Sequence, residues 1–146
     1  MNIAIDTNVL VRFIIADDEA QYVSALQLFQ EATSITIPTV VLCETVWVLR
    51  GYKIDKKMIL EQISTITQTE KMIVADDEVK AGLDLMAVGG DFADGVAAYT
   101  GRRLSPDGKA AFASFDNKAV GTIQNFVFRA FWLITRRAEQ SVQQRG

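Results

Sequence analysis

The stretches Ile3-Ala4-Ile5-Asp6-Thr7-Asn8 and Ala113-Ser114-Phe115-Asp116-Asn117 follow one rule: a short apolar run, an aspartate, then a small polar side chain. Each reads as a buried strand that ends in an acid. Ligands of parallel sheets bind outside the carboxyl ends of the strands, so both acids project to the same edge. The competing reading makes each aspartate an ordinary N-cap for the helix that follows.

Outward from these stretches, strands and helices alternate. Met1–Ile5, Ile35–Ile37 (closed by Pro38), Met72–Val74 and Ala110–Phe115 read as strands. Asp17-Asp18 starts a helix with Tyr22, Ala25, Leu26 and Phe29 on one face. Thr39 is placed to cap a helix from Val40 to about Arg50 that is apolar nearly all round, hence buried, and ended by Gly51. Asp55 opens a helix with Ile59, Ile63 and Ile66 in register. Asp76 caps another with Val79, Leu83 and Met86 aligned, stopped by Gly89-Gly90, and Asp91 begins one that runs to about Arg102. Such alternation is the pattern of an α/β sandwich on a mostly parallel sheet. Residues 1–146 read as one domain, with 121–146 a helical extension: Ile123, Phe126, Val127, Ala130, Phe131 and Ile134 form one stripe, made basic by Arg129, Arg136 and Arg137. That extension packs on the core or on a second subunit, or else contacts a partner or nucleic acid.

The 146 residues are 49% hydrophobic and 23% charged, as expected of an ordinary globular chain. Cys43 is the sole cysteine, which removes intramolecular disulfides and fits a reducing, cytoplasmic setting. Met1-Asn2 lacks the basic opening of a secretory signal, and the apolar runs are too short to span a bilayer. There is no histidine, so His-dependent triads and His-ligated metals are excluded. A metal held by oxygen alone would be Mg²⁺ or Mn²⁺. The net charge of −3 argues against a simple phosphate-binding module.

Four acids stand out: Asp6, Glu44, Asp94 and Asp116. Glu44 has Val40, Val41, Trp47 and Val48 as its helical neighbours, so it is expected in the core-facing stripe, where a lone carboxylate needs a cation or an arginine such as Arg12 or Arg50. Asp91 and Asp94 have the spacing of a capping box, while Ala97, Ala98 and Gly101 leave room beside Asp94 for an ion. Asp91 is therefore a cap or outer ligand and Asp94 a ligand. Thr7, Asn8, Ser114 and Asn117 flank the strand-end acids and either orient them or simply form turns. Cys43 reads as a packing residue, and Trp47, Phe126, Phe128, Phe131 and Trp132 as core or interface.

Taken together, Asp6-Thr7-Asn8-Val9-Leu10, Val41-Leu42-Cys43-Glu44-Thr45-Val46-Trp47-Val48-Leu49, Asp91-Phe92-Ala93-Asp94 and Phe115-Asp116 resemble PIN-domain proteins, and among them VapC-like toxins of bacterial toxin–antitoxin pairs. The resemblance runs from Met1 to about Val120. It implies a three-layer α/β/α sandwich with a short, mostly parallel central sheet of four or five strands. It implies a pocket of Asp6, Glu44, Asp94 and Asp116, catalytic and metal-binding together, and Mg²⁺- or Mn²⁺-dependent endoribonuclease activity on RNA. It also implies homodimers and inhibition by a small cognate antitoxin. Thr122–Gly146 departs from the short final strand common in such proteins, and Ser114 and Asn117 replace the Thr and basic residue often found around the last acid. Two other readings stand beside the nuclease: a catalytically silent PIN-like module that binds a partner protein, and a phosphotransferase with Asp6 as nucleophile. Asn8 replaces the second aspartate that the latter would use.

Overall fold

The apolar periodicities translate into five short strands and seven helices in the computed structural model, which describes residues 1–125 and the backbone of residues 130–132. In chain order these are β1 (Asn2–Ala4), α1 (Thr7–Ile15), α2 (Glu19–Glu31), β2 (Ser34–Thr36), α3 (Thr39–Gly51), α4 (Lys56–Thr67), β3 (Met72–Ile73), α5 (Asp76–Ala87), α6 (Phe92–Leu104), β4 (Phe112–Ser114), α7 (Asn117–Gln124) and β5 (Ala130–Trp132). All pairings are parallel. Ile3 lies opposite Ile35, and Ile35 opposite Met72, giving the order β1-β2-β3. Ala113 lies opposite Phe131 in a separate β4-β5 pair. The five strands therefore form two ladders, three plus two, rather than one continuous sheet. Strands of two or three residues carry too few ladder bonds to oblige the two sets to join.

The main core gathers Leu10, Ile35, Leu42, Leu49, Ile63 and Phe92 from α1, β2, α3, α4 and α6. Each such side chain contributes about 1.5–3 kcal/mol of burial. A smaller core of Leu85, Ala98, Val120 and Ile123 seats α7 against α5 and α6. Helices α5 and α6 approach closely because two glycines lie between them. A Cβ on Gly95 would sit 2.5 Å from the Ala81 carbonyl oxygen, and one on Gly82 2.6 Å from the Phe92 ring. Gly89 turns the chain between these helices at φ 92°, in the region open to residues without a Cβ.

Four expectations are corrected. Thr39 is the first residue of α3 and caps nothing; its hydroxyl donates to Glu78 Oε2 at 2.6 Å, and Pro38 precedes the helix without a side-chain cap. Asp76 likewise lies inside α5, after an uncapped Ala75. Helix α3 includes Gly51 and is not buried all round: Val41, Leu42, Thr45, Val46 and Leu49 face the core, whereas Val40 is 63% and Trp47 77% exposed. The stripe from Ile123 to Ile134 is not one helix, since α7 ends at Gln124 and Ala130–Trp132 pairs as a strand. Alternating aromatic and apolar residues satisfy a strand as readily as a helix over so short a run. The rest of the 121–146 extension, including Arg129, Arg136 and Arg137, lies outside the described residues.

Candidate metal centre

Asp6 and Asp116 leave their strands as the rule in the sequence requires, and both are N-caps. Asp6 Oδ1 accepts from the Val9 amide at 2.9 Å. Asp116 Oδ1 accepts from the amides of Lys118 at 2.9 Å and Ala119 at 3.2 Å. The cap reading is thus correct for both, but it uses only one oxygen of each exposed carboxylate, and an ionised carboxylate has about four acceptor sites. Ser114 Oγ accepts from the Asp116 amide at 3.0 Å and so fixes the turn that aims this acid. Asn117 is the exposed first residue of α7. Asn8 lines, with Asp6, Val9, Arg12, Gln21 and Leu28, a cleft of about 550 Å³ between α1 and α2.

Glu44 is not in the core. It is exposed, on the side of α3 that also presents Val40 and Trp47. The stripe around it is apolar, yet Thr45 is the residue that turns inward, fully buried and with no hydrogen-bond partner for its hydroxyl. Glu44 takes its bond from Thr7, whose hydroxyl donates to Oε2 at 2.6 Å and joins the start of α1 to the middle of α3. The arginines weighed as its partners are engaged elsewhere: Arg12 with Asp17 at 2.8 Å and Arg50 with Asp91 at 3.6 Å.

Asp94 lies half-buried in the first turn of α6. Burial pushes its carboxyl above the usual range, and the charges of Asp91 and Asp116 push it further in the same direction. Asp91 occupies the N-cap position of α6 without making a side-chain cap bond, contrary to the capping-box expectation; its carboxylate faces Arg50 instead. The Cys43 thiol is pushed up by burial and then by Asp91, Glu78 and Glu44, which makes it a poor nucleophile and places Glu44 and Asp91 in one electrostatic neighbourhood.

The charges of Asp91 and Asp116 therefore both act on Asp94, while Glu44 is tied through Thr7 to the residue that follows Asp6. Among the described residues no group of three or more acids or cysteines is drawn close enough to hold a metal ion as it stands. The donor chemistry nevertheless suits a hard divalent cation: oxygen ligands throughout, and mutual repulsion that a cation would relieve. Glu78 escaped the reading of the sequence. It takes hydroxyl bonds from Thr39 (2.6 Å) and Thr100 (2.9 Å) and faces Arg103, joining α3, α5 and α6. In the run Asp76-Asp77-Glu78 it looks like one more acid at a helix start, and nothing local reveals partners 39 and 22 residues away.

The family model of the PIN domain matches residues 3–102, well over half of the chain. The chain belongs to the PIN domain family. Asp6, Glu44 and Asp94 of this PIN domain lie inside the matched span, and Asp116 lies beyond it. PIN domains are generally nucleases, which makes phosphodiester hydrolysis the general expectation. No curated protein and no solved structure matches the chain.

Proposed function

We propose that this PIN domain is a Mg²⁺- or Mn²⁺-dependent endoribonuclease, the toxin of a toxin–antitoxin pair, with Asp6, Glu44, Asp94 and Asp116 as its acidic centre. The observation that carries the reading is the PIN domain match over residues 3–102, which holds Asp6, Glu44 and Asp94; beside it, burial and then the charges of Asp91 and Asp116 disfavour ionisation of Asp94, a penalty that a nearby cation would relieve. A bound divalent cation supplies an activated water and neutralises charge on the leaving oxygen. The protein's own part is positional. The cap bonds orient Asp6 and Asp116, the Thr7 hydroxyl orients Glu44, and Asp91 is held outward by Arg50. A small cognate antitoxin, a homodimeric state and a cytoplasmic setting belong to the same proposal. Among the described residues no helix is long and apolar enough to cross a membrane.

The second reading, a catalytically silent module that binds a partner protein, is favoured by one observation: the acids are not gathered into a metal-holding group. Cleavage of single-stranded RNA in Mg²⁺ or Mn²⁺, set against EDTA, separates the two. Cutting that requires the metal and is lost in Asp94→Asn supports the nuclease. RNA that stays intact with both metals supports the silent module.

A further inference from the structure

Arg50, which pairs with Asp91, belongs to a basic stretch of the chain. The segment from Trp47 to Lys57 carries four cations (Arg50, Lys53, Lys56 and Lys57) and one acid (Asp55), in a chain whose net charge is −3. Trp47 is 77% exposed although it lies on a packed helix, and Tyr52 beside it is 49% exposed. The two rings share an open groove of about 600 Å³ with Val48, Arg50 and Gly51. Tyr52 lies within reach of Arg12. Arg50 reaches Asp91 at 3.6 Å, and Lys56 is fixed by donating to the Gly89 carbonyl at 2.8 Å. Lys56 also senses Arg50 and Lys118 as like charges and Asp91 as an opposite one, so these three cations lie in one electrostatic neighbourhood.

Exposed rings flanked by clustered cations are the two elements of a single-strand binding surface: the rings stack on bases and the cations track phosphates. We infer that the groove formed by the end of α3 and the α3–α4 turn is a docking platform for single-stranded RNA. Trp47 and Tyr52 stack on bases there, and Arg50, Lys56 and Lys118 lead the phosphate chain towards Asp91 and Asp94. Charge complementarity argues for this occupant: Arg50, Lys53, Lys56 and Lys57 fall within eight residues beside two exposed rings, and a single strand offers both phosphates and bases to such a surface. The inference rests on the ribonuclease reading for its biological meaning, but its test does not need cleavage.

The experiment is binding of a fluorescein-labelled single-stranded RNA to the full chain in EDTA, by anisotropy, across a salt series. Trp47→Ala should weaken binding roughly 5- to 150-fold, as expected for loss of one stacked base. Lys53→Gln, a change at an exposed turn, should weaken it less and lower the salt slope by up to about one. Unchanged affinity in Trp47→Ala overturns the inference, as does wild-type protein that fails to bind. Trp47→Ala that turns a dimer into a monomer by sedimentation while RNA affinity holds would assign the face to a second copy. If the platform binds as expected but no RNA is cut in Mg²⁺ or Mn²⁺, the inference stands and the nuclease reading falls.

Discussion

Glu78→Ala tests whether the polar link between α3, α5 and α6 works as its geometry indicates. The carboxylate accepts hydroxyl bonds from Thr39 and Thr100, and its side chain is only 18% exposed. Hydrogen bonds to a charged group contribute about 1.5–3 kcal/mol each. The Arg103 pair, at 3.4 Å and half-exposed, adds at most about 1 kcal/mol. Alanine gains a few tenths of a kcal/mol in helix propensity and loses a similar favourable interaction of an acid with the helix N-terminus, so these terms nearly cancel. Partial re-solvation of the two hydroxyls leaves a net loss of about 2–4 kcal/mol. At roughly 3 °C per kcal/mol for a chain of this size, the melting temperature should fall by about 6–12 °C. The carboxyl is held below its ordinary value of 4.5, first by Thr39 and then by Thr100. Its contribution is therefore complete above that value and is lost as pH falls through the lower folded pKa, so the gap between wild type and variant should close in acid. Thermal unfolding by circular dichroism at neutral and acid pH reads both effects. A variant within about 0.5 kcal/mol of wild type at pH 7, or a gap that persists undiminished in strong acid, refutes the reasoning.

Thr45→Val should raise stability by about 1 kcal/mol, because the fully buried hydroxyl has no partner and its desolvation is uncompensated; urea unfolding that shows destabilisation would mean the hydroxyl is satisfied. Gly95→Ala should cost about 1–3 kcal/mol by forcing α6 from α5, since the new Cβ meets the Ala81 carbonyl at 2.5 Å, and it should weaken metal binding by shifting the neighbouring Asp94. Asp94→Asn should stabilise the metal-free protein at neutral pH. Its folded pKa lies above the ordinary 3.8, so the wild type loses stability as pH rises through the interval between the two values and the variant does not. In saturating Mn²⁺ the order should reverse, because only the wild type gains binding free energy, and a melting series with and without metal checks both signs.

The helices that carry the site were legible wherever local chemistry determined them. Asp18 and Asp55 cap the helices expected of them, and Ile59, Ile63 and Ile66 are buried in register. The strand-end acids were legible as well, because Asp6 and Asp116 repeat one local rule. Orientation on α3 was not. An apolar stripe tells which residues avoid water on average, and Val40 and Trp47 break that rule at the surface, taking Glu44 outward with them. Long-range polar partners were invisible for the same reason: Thr7 with Glu44 and Thr39 with Glu78 are 37 and 39 residues apart. The tail was misread because Phe, Trp and Ile fit either period over so few residues, and the strand at Ala130–Trp132 depends on pairing with β4, a non-local event.

A crystal of the full chain soaked in Mn²⁺ gives the decisive anomalous map. The expected result is a peak whose first shell, at about 2.0–2.2 Å, draws oxygens from Asp6 and Asp94, with Glu44 and Asp116 bound directly or through water. A map with no peak among these four carboxylates, or with manganese held by other acids, contradicts the proposed centre.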